Sequence, residues 1–187
     1  MNQIWQYWEG TLSPSYINSI LDTSEKYEWS SPGLGFNGET QNNEYRKSKI
    51  KWVPPLENPY IRDMVWNFAM QANKHAFGFD LSFINDIQYT EYHSVDQGKY
   101  DWHQDTFWAN PTCFDRKISV VIQLDDPEDY DGGDFLIDPA HPQPDPIAIK
   151  RKGSVIVFPS FINHCVTPVT RGRRRSLVSW VEGPKFR

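Results

Sequence analysis

Between residues 84 and 181 the chain reads as a series of short segments rich in β-branched or aromatic residues. They are Ile84–Tyr92, Lys99–Asp105, Lys117–Leu124, Asp134–Ile137, Pro146–Lys150, Ser154–Phe158, His164–Val169 and Arg174–Val181. Turn signals at Gln97-Gly98, Asp131-Gly132-Gly133, Lys152-Gly153 and Arg171-Gly172 separate them. Strands this short and this numerous bury their apolar faces by stacking as two sheets. The pattern predicts a mainly β fold, a sandwich or jelly roll.

Before residue 80 the texture is helical. Ser13-Pro14 opens a capped helix over 15–28, with Tyr16, Ile17, Ile20 and Leu21 on one face. A second helix is expected from Pro59 to Phe77, where Ile61, Val65, Phe68 and Ala72 recur at helical spacing. Lys49–Val53 reads as a short strand, and Ser31–Asn43 as a Gly-, Ser- and Asn-rich loop suited to a substrate lid. Along Ile118–Leu124, residues Ile118, Val120, Ile122 and Leu124 share one strand face, while Ser119, Val121 and Gln123 share the other. The first set belongs under the helices and the second against a partly polar cavity. The expectation is one domain over 1–187, with helical support over about 1–80 and a jelly-roll core over about 84–184.

Composition excludes several classes. At 187 residues, 39% hydrophobic and 15% aromatic, the chain has enough apolar surface to offset the entropy of ordering, so it is not a disordered protein. Its net charge of −5 suits no stable nucleic-acid partner. The run Arg171-Gly172-Arg173-Arg174-Arg175 is the local exception, and a solvated turn is the plain expectation for Arg171, Arg173 and Arg175. No apolar run reaches membrane-spanning length, and MNQIWQYWEG lacks the basic start of a signal peptide. With Cys113 and Cys165 as the two cysteines, no disulfide framework is possible, and a reducing cytoplasm is expected.

The chemistry concentrates in His103-Gln104-Asp105. On a strand, residues i and i+2 leave the same face, so an imidazole and a carboxylate converge. Chance alone supplies about 0.4 such triplets in a chain of this composition. His164, at the end of another expected strand, completes two histidines and one carboxylate. That set leaves positions open on a non-haem iron. Ten residues on, Arg174 shares a strand face with Ser176, Val178 and Trp180; a guanidinium with a hydroxyl two residues away grips a carboxylate well. His75, His93 and His141 lack partners in this pattern, and Cys165 should face away from His164.

With these residues in view the chain resembles the iron(II)/2-oxoglutarate dioxygenases, and within them the prolyl 4-hydroxylase-like branch. The resemblance rests on His103-x-Asp105, Gly132-Gly133-Asp134, Gly153 through Phe158-Pro159-Ser160, and His164 through Arg174, in that order. It implies a double-stranded β-helix with helices packed on one sheet. It implies His103, Asp105 and His164 as Fe(II) ligands, and Arg174, Ser176, Tyr92 and Gln123 around 2-oxoglutarate. Tyr100, Trp102 and Trp180 would line the substrate mouth. O2 is the second cosubstrate, and the resemblance extends to ascorbate. The implied reaction hydroxylates an amino-acid residue, foremost proline in a peptide or protein, with release of succinate and CO2. Two other readings stand beside it: a nucleobase-oxidising relative, with Arg171, Arg173 and Arg175 gripping phosphate, and a non-catalytic metal- or carbohydrate-binding jelly roll.

Overall fold

The computed structural model describes residues 4–33 and 44–187. Most of the expected lid, Ser31–Asn43, lies outside the described residues. The strands in chain order are β1 (Gln6–Trp8), β2 (Arg46–Lys47), β3 (Lys49–Trp52), β4 (Phe83–His93), β5 (Lys99–His103), β6 (Phe114–Gln123), β7 (Tyr130–Gly132), β8 (Phe135–Ile137), β9 (Val155–Pro159), β10 (His164–Val166) and β11 (Val169–Pro184). The helices are α1 (Pro14–Ser24), α2 (Pro59–Ala72) and the single turn α3 (Pro146–Lys150).

All pairings are antiparallel. The larger sheet runs β1-β9-β6-β11-β4-β3, with β7 added along β11, and the smaller runs β2-β5-β10-β8. This is the mainly β, double-sheet architecture expected of the chain. The first eighty residues do more than support it, since β1, β2 and β3 join the sheets. β3 is the strand expected over Lys49–Val53, whereas β1 and β2, of three and two residues, carry too little periodicity to be read from sequence.

Local chemistry starts and stops the helices. The Ser13 hydroxyl accepts from the Tyr16 N–H at 3.3 Å ahead of Pro14, which caps α1. After α2, residues Asn73–Phe77 widen into a π turn that ends at Gly78, φ +71°. Ile17 and Ile20 of α1, with Ile61, Val65 and Ala69 of α2, pack on Ile118, Val120, Ile122 and Leu124 of the larger sheet. Each of the isoleucine, valine and leucine side chains contributes about 1.5–3 kcal/mol when fully buried. The other face of β6 turns toward the smaller sheet, where Val121 packs with Tyr92 and Phe158. Stability is thus concentrated on the helix side, and the inter-sheet side is free to hold polar groups.

Two expected elements differ. Pro146–Lys150 is a helical turn, because the Asp145 carboxylate accepts from the N–H groups of Ile147 at 2.9 Å and Ala148 at 3.4 Å. That cap outweighs the strand preference of two isoleucines. Arg171-Gly172 is not a turn but a point within β11; the chain breaks instead after Val166, ahead of Pro168. Gly172 has φ +69°, and a β-carbon there would lie 2.1 Å from the Asp129 carbonyl oxygen. The glycine serves close approach of two backbones, not reversal. No helix among the described residues is long and apolar enough to cross a membrane.

Candidate metal centre and its cavity

His103 at the end of β5 and His164 at the start of β10 are paired directly across the smaller sheet. Asp105 lies just beyond β5, where its N–H donates to the Ser160 carbonyl at 2.8 Å. Its carboxylate accepts from the Ser119 hydroxyl at 2.7 Å, and Ser119 and Ser160 share a hydrogen bond of 2.9 Å. The Phe158-Pro159-Ser160 motif therefore orients the carboxylate. His103 Nε2 lies 3.6 Å from Asp105 Oδ1, and His164 Nε2 lies 3.4 Å from Oδ2. One ligand atom from each of the three groups falls within 4.8 Å of the others.

The imidazoles are held in a defined tautomer. His103 Nδ1 lies 2.7 Å from the Asp101 carbonyl and His164 Nδ1 lies 2.9 Å from the Ile162 carbonyl. A carbonyl only accepts, so both Nδ1 atoms carry the hydrogen and both Nε2 lone pairs face the shared point. Burial, followed by the neighbouring His164, pushes the His103 pKa down to about 3, which keeps it the neutral ligand form. Burial works against ionisation of Asp105, but His164, His103 and the Ser119 hydroxyl outweigh it and hold the carboxyl below its ordinary range. Two imidazole nitrogens and one carboxylate oxygen on one side suit a divalent transition metal. A closed structural zinc site takes four ligands; among the described residues no fourth acidic, His or Cys group joins the three.

These residues line a cavity of about 400 Å³ between the sheets. Toward one end lies Arg174, 1% exposed, with Nε, Nη1 and Nη2 all lacking a hydrogen-bond partner. Tyr92 presents its ring 5.5 Å from the guanidinium carbon, and Ser176 lines the same wall. Gln123 pairs across from Ser176 in register; its Oε1 is buried without a partner, as is the Tyr130 hydroxyl. Gly133, φ +61°, explains the double-glycine motif. A β-carbon there would stand 2.9 Å from both Arg174 Cδ and Val169 Cγ2, so glycine leaves the arginine its place. The Arg174 end fits a carboxylate ligand, since its guanidinium meets no protein carboxylate and has the Tyr130 hydroxyl as a polar neighbour.

Elsewhere in the cavity, Trp180 lies 3.9 Å beneath the Arg116 guanidinium, which pairs with Asp86 at 3.2 Å. Tyr100 stacks on His103 with ring centroids 3.5 Å apart. Trp102 is not brought to this cavity. It is 41% exposed, because alternation from His103 puts it on the opposite face of β5; β5 also carries one extra residue against β10 between Tyr100 and His103. That bulge turns Tyr100 and His103 to the same face.

The basic run is engaged within the protein. Arg171 holds Asp131 at 2.7 Å, Arg173 reaches Glu91 at 3.5 Å, and Arg175 holds the buried Asp125 at 2.8 Å. Arg171 and Arg173 are exposed, as expected of a solvated run, whereas Arg175 is no solvated arginine. Arg175→Ala is expected to cost about 2–3 kcal/mol by leaving the buried Asp125 carboxylate with the residue-175 backbone N–H but no charged partner, while ligand binding at Arg174 stays unchanged. Urea unfolding beside ligand titration checks both halves.

Sequence reasoning missed Asp86, Arg116, Tyr130 and Arg46. A signal existed for the first. Asp86, Gln88, Thr90 and Tyr92 alternate along β4, a polar inner face interleaved with Ile87 and Tyr89.

A fold of two antiparallel sheets with a His-Asp-His group between them is the double-stranded β-helix of oxygenases. Residues 87–182 match the 2OG-Fe(II) oxygenase superfamily, and the chain belongs to it. The PKHD-type hydroxylase YbiX of Escherichia coli strain 536 is 26% identical, over 92% of this chain and 76% of its own length. Two solved structures, each 18% identical, share the fold. The viral collagen prolyl hydroxylase of Paramecium Bursaria Chlorella virus-1, in complex with 2OG, superposes with TM-score 0.71 and covers 97% of both chains. A Trichoplax adhaerens prolyl hydroxylase bound to a hypoxia-inducible-factor peptide fragment gives 0.73, covering 96% of this chain and 83% of its own.

Proposed function

We propose that this oxygenase hydroxylates an amino-acid residue within a peptide or protein, foremost proline, with 2-oxoglutarate converted to succinate and CO2. His103, Asp105 and His164 would hold Fe(II). When bound, the metal with its cosubstrates supplies the oxidation of an unactivated C–H bond. The protein's own work is positional. The carbonyls of Asp101 and Ile162 hold the imidazole N–H groups, and Ser119 holds the carboxylate. Arg174 and Ser176 orient the cosubstrate by its distal carboxylate, with Tyr92 beside them. Val121, Phe135 and Val166 line the cavity and exclude water around the reacting centre.

The observation that carries this reading is the fully buried, unpartnered Arg174 in the same cavity as the triad. A metal site alone would need no such residue. Trp180 adds a flat, rigid surface for a pyrrolidine ring, whereas the faces of Tyr100 are taken by His103 and Arg46. The peptide-bound prolyl hydroxylase of similar fold supports the substrate class.

Incubation with Fe(II), 2-oxoglutarate and a panel of peptides, free amino acids and oligonucleotides tests it by mass spectrometry. The expected result is gain of one oxygen on a proline peptide with matching succinate. Oxidation of free amino acids or oligonucleotides in preference to every peptide would overturn the substrate while leaving the oxygenase intact.

A further inference from the structure

Arg46 is a second buried guanidinium in the cavity, and none of the roles above uses it. It is 8% exposed. Nε donates to the Ser48 hydroxyl at 2.9 Å and Nη2 to Gln88 Oε1 at 2.8 Å. Its guanidinium carbon lies 4.4 Å from the centroid of Tyr100, whose other neighbour is His103. Among the described residues it forms no ion pair. The hydrogen bonds and the stack fix the guanidinium rigidly but leave its charge uncompensated.

The charges of the cavity wall make that significant. Arg46, Arg116 and Arg174 face it, against the carboxylates of Asp86 and Asp105. Among the described residues one positive charge remains. A divalent metal and dianionic 2-oxoglutarate cancel each other, so the residual charge persists in the loaded enzyme. Arg116 is matched by Asp86 and Arg174 by the cosubstrate, which isolates the excess at Arg46. A buried cation without a counter-charge is costly, and a preorganised guanidinium favours a carboxylate.

We propose that Arg46 is a specificity residue that pairs with a carboxylate of the substrate. The hydroxylated residue would therefore carry an acidic neighbour or stand beside a free chain terminus. This rests on the peptide reading above and narrows it.

The test compares binding of matched peptides to the protein loaded with Mn(II) and 2-oxoglutarate, by calorimetry, so that no turnover is needed. One pair is acetyl-Ala-Pro-Glu-Ala-amide against its Gln counterpart. A second is acetyl-Ala-Pro with a free against an amidated terminus. Both pairs are repeated with Leu, Lys or Asn in place of proline. At least one acidic member should bind about tenfold more tightly than its neutral twin, and which pair responds tells side chain from terminus. In Arg46→Gln, which preserves hydrogen bonding to Ser48 or Gln88, that preference should vanish while Mn(II) and 2-oxoglutarate affinities stay unchanged. Proline peptides binding without any acid preference, or a preference surviving in Arg46→Gln, would overturn the role of Arg46 alone. An acid preference confined to non-proline peptides would keep Arg46 and overturn proline. No binding by any peptide would overturn both.

Discussion

His164→Ala is expected to abolish turnover and to weaken Mn(II) binding, read by calorimetry in the absence of substrate, by at least about 100-fold, or 2.7 kcal/mol. The magnitude follows from the coordination set. Three ligands leave no redundancy, and the orphaned pair, His103 and Asp105, cannot close a facial site. Ser119→Ala provides the scale. It removes the hydroxyl that holds Asp105 at 2.7 Å but no ligand, and outer partners of this kind are worth about 10–100-fold. A His164→Ala protein that binds Mn(II) as tightly as the parent would dismiss the assignment. A Ser119→Ala protein as weak as His164→Ala would mean that Ser119 does more than orient.

How this centre could be read from the sequence follows from what each residue depends on. His103 and Asp105 are two apart and His164 closes the set, so local spacing carried the information. Arg174 was legible because β11 alternates regularly there, putting Ser176 and Trp180 on its face. The β6 stripe from Ile118 to Leu124 was legible for the same reason, and it located the helices. The stacking of Tyr100 on His103 was not, since one extra residue in β5 inverts alternation between them and no side-chain type announces it. Arg46 was invisible. It sits in a two-residue strand whose only meaning comes from pairing with Tyr100 and Lys99, far away in sequence. The Pro146–Lys150 turn was misread because five residues hold too little periodicity to outvote two isoleucines, although Asp145-Pro146 offered the cap.

Arg174 carries the second large effect, and it separates binding from stability. Arg174→Met keeps length and removes the charge. With no carboxylate partner left at that end of the cavity, 2-oxoglutarate should bind at least about 100-fold more weakly, a loss near 3 kcal/mol for a charge-assisted bidentate contact. The ligand-free protein should respond oppositely. Its guanidinium is buried with three nitrogens unpaired by protein, and exchanging such a group for an apolar one of similar size is neutral or stabilising. The ligand-free melting temperature is therefore expected to stay level or rise by several degrees, at about 2–4 °C per kcal/mol for a chain of this size. The shift that 2-oxoglutarate produces in the parent should disappear, because a ligand stabilises only the state it binds. A residue kept for function at a cost in stability gives this crossed pattern. Were Arg174→Met to unfold several degrees early while still gaining stability from 2-oxoglutarate, the arginine would be a structural element of the core, and the cosubstrate carboxylate would have to be held elsewhere in the cavity.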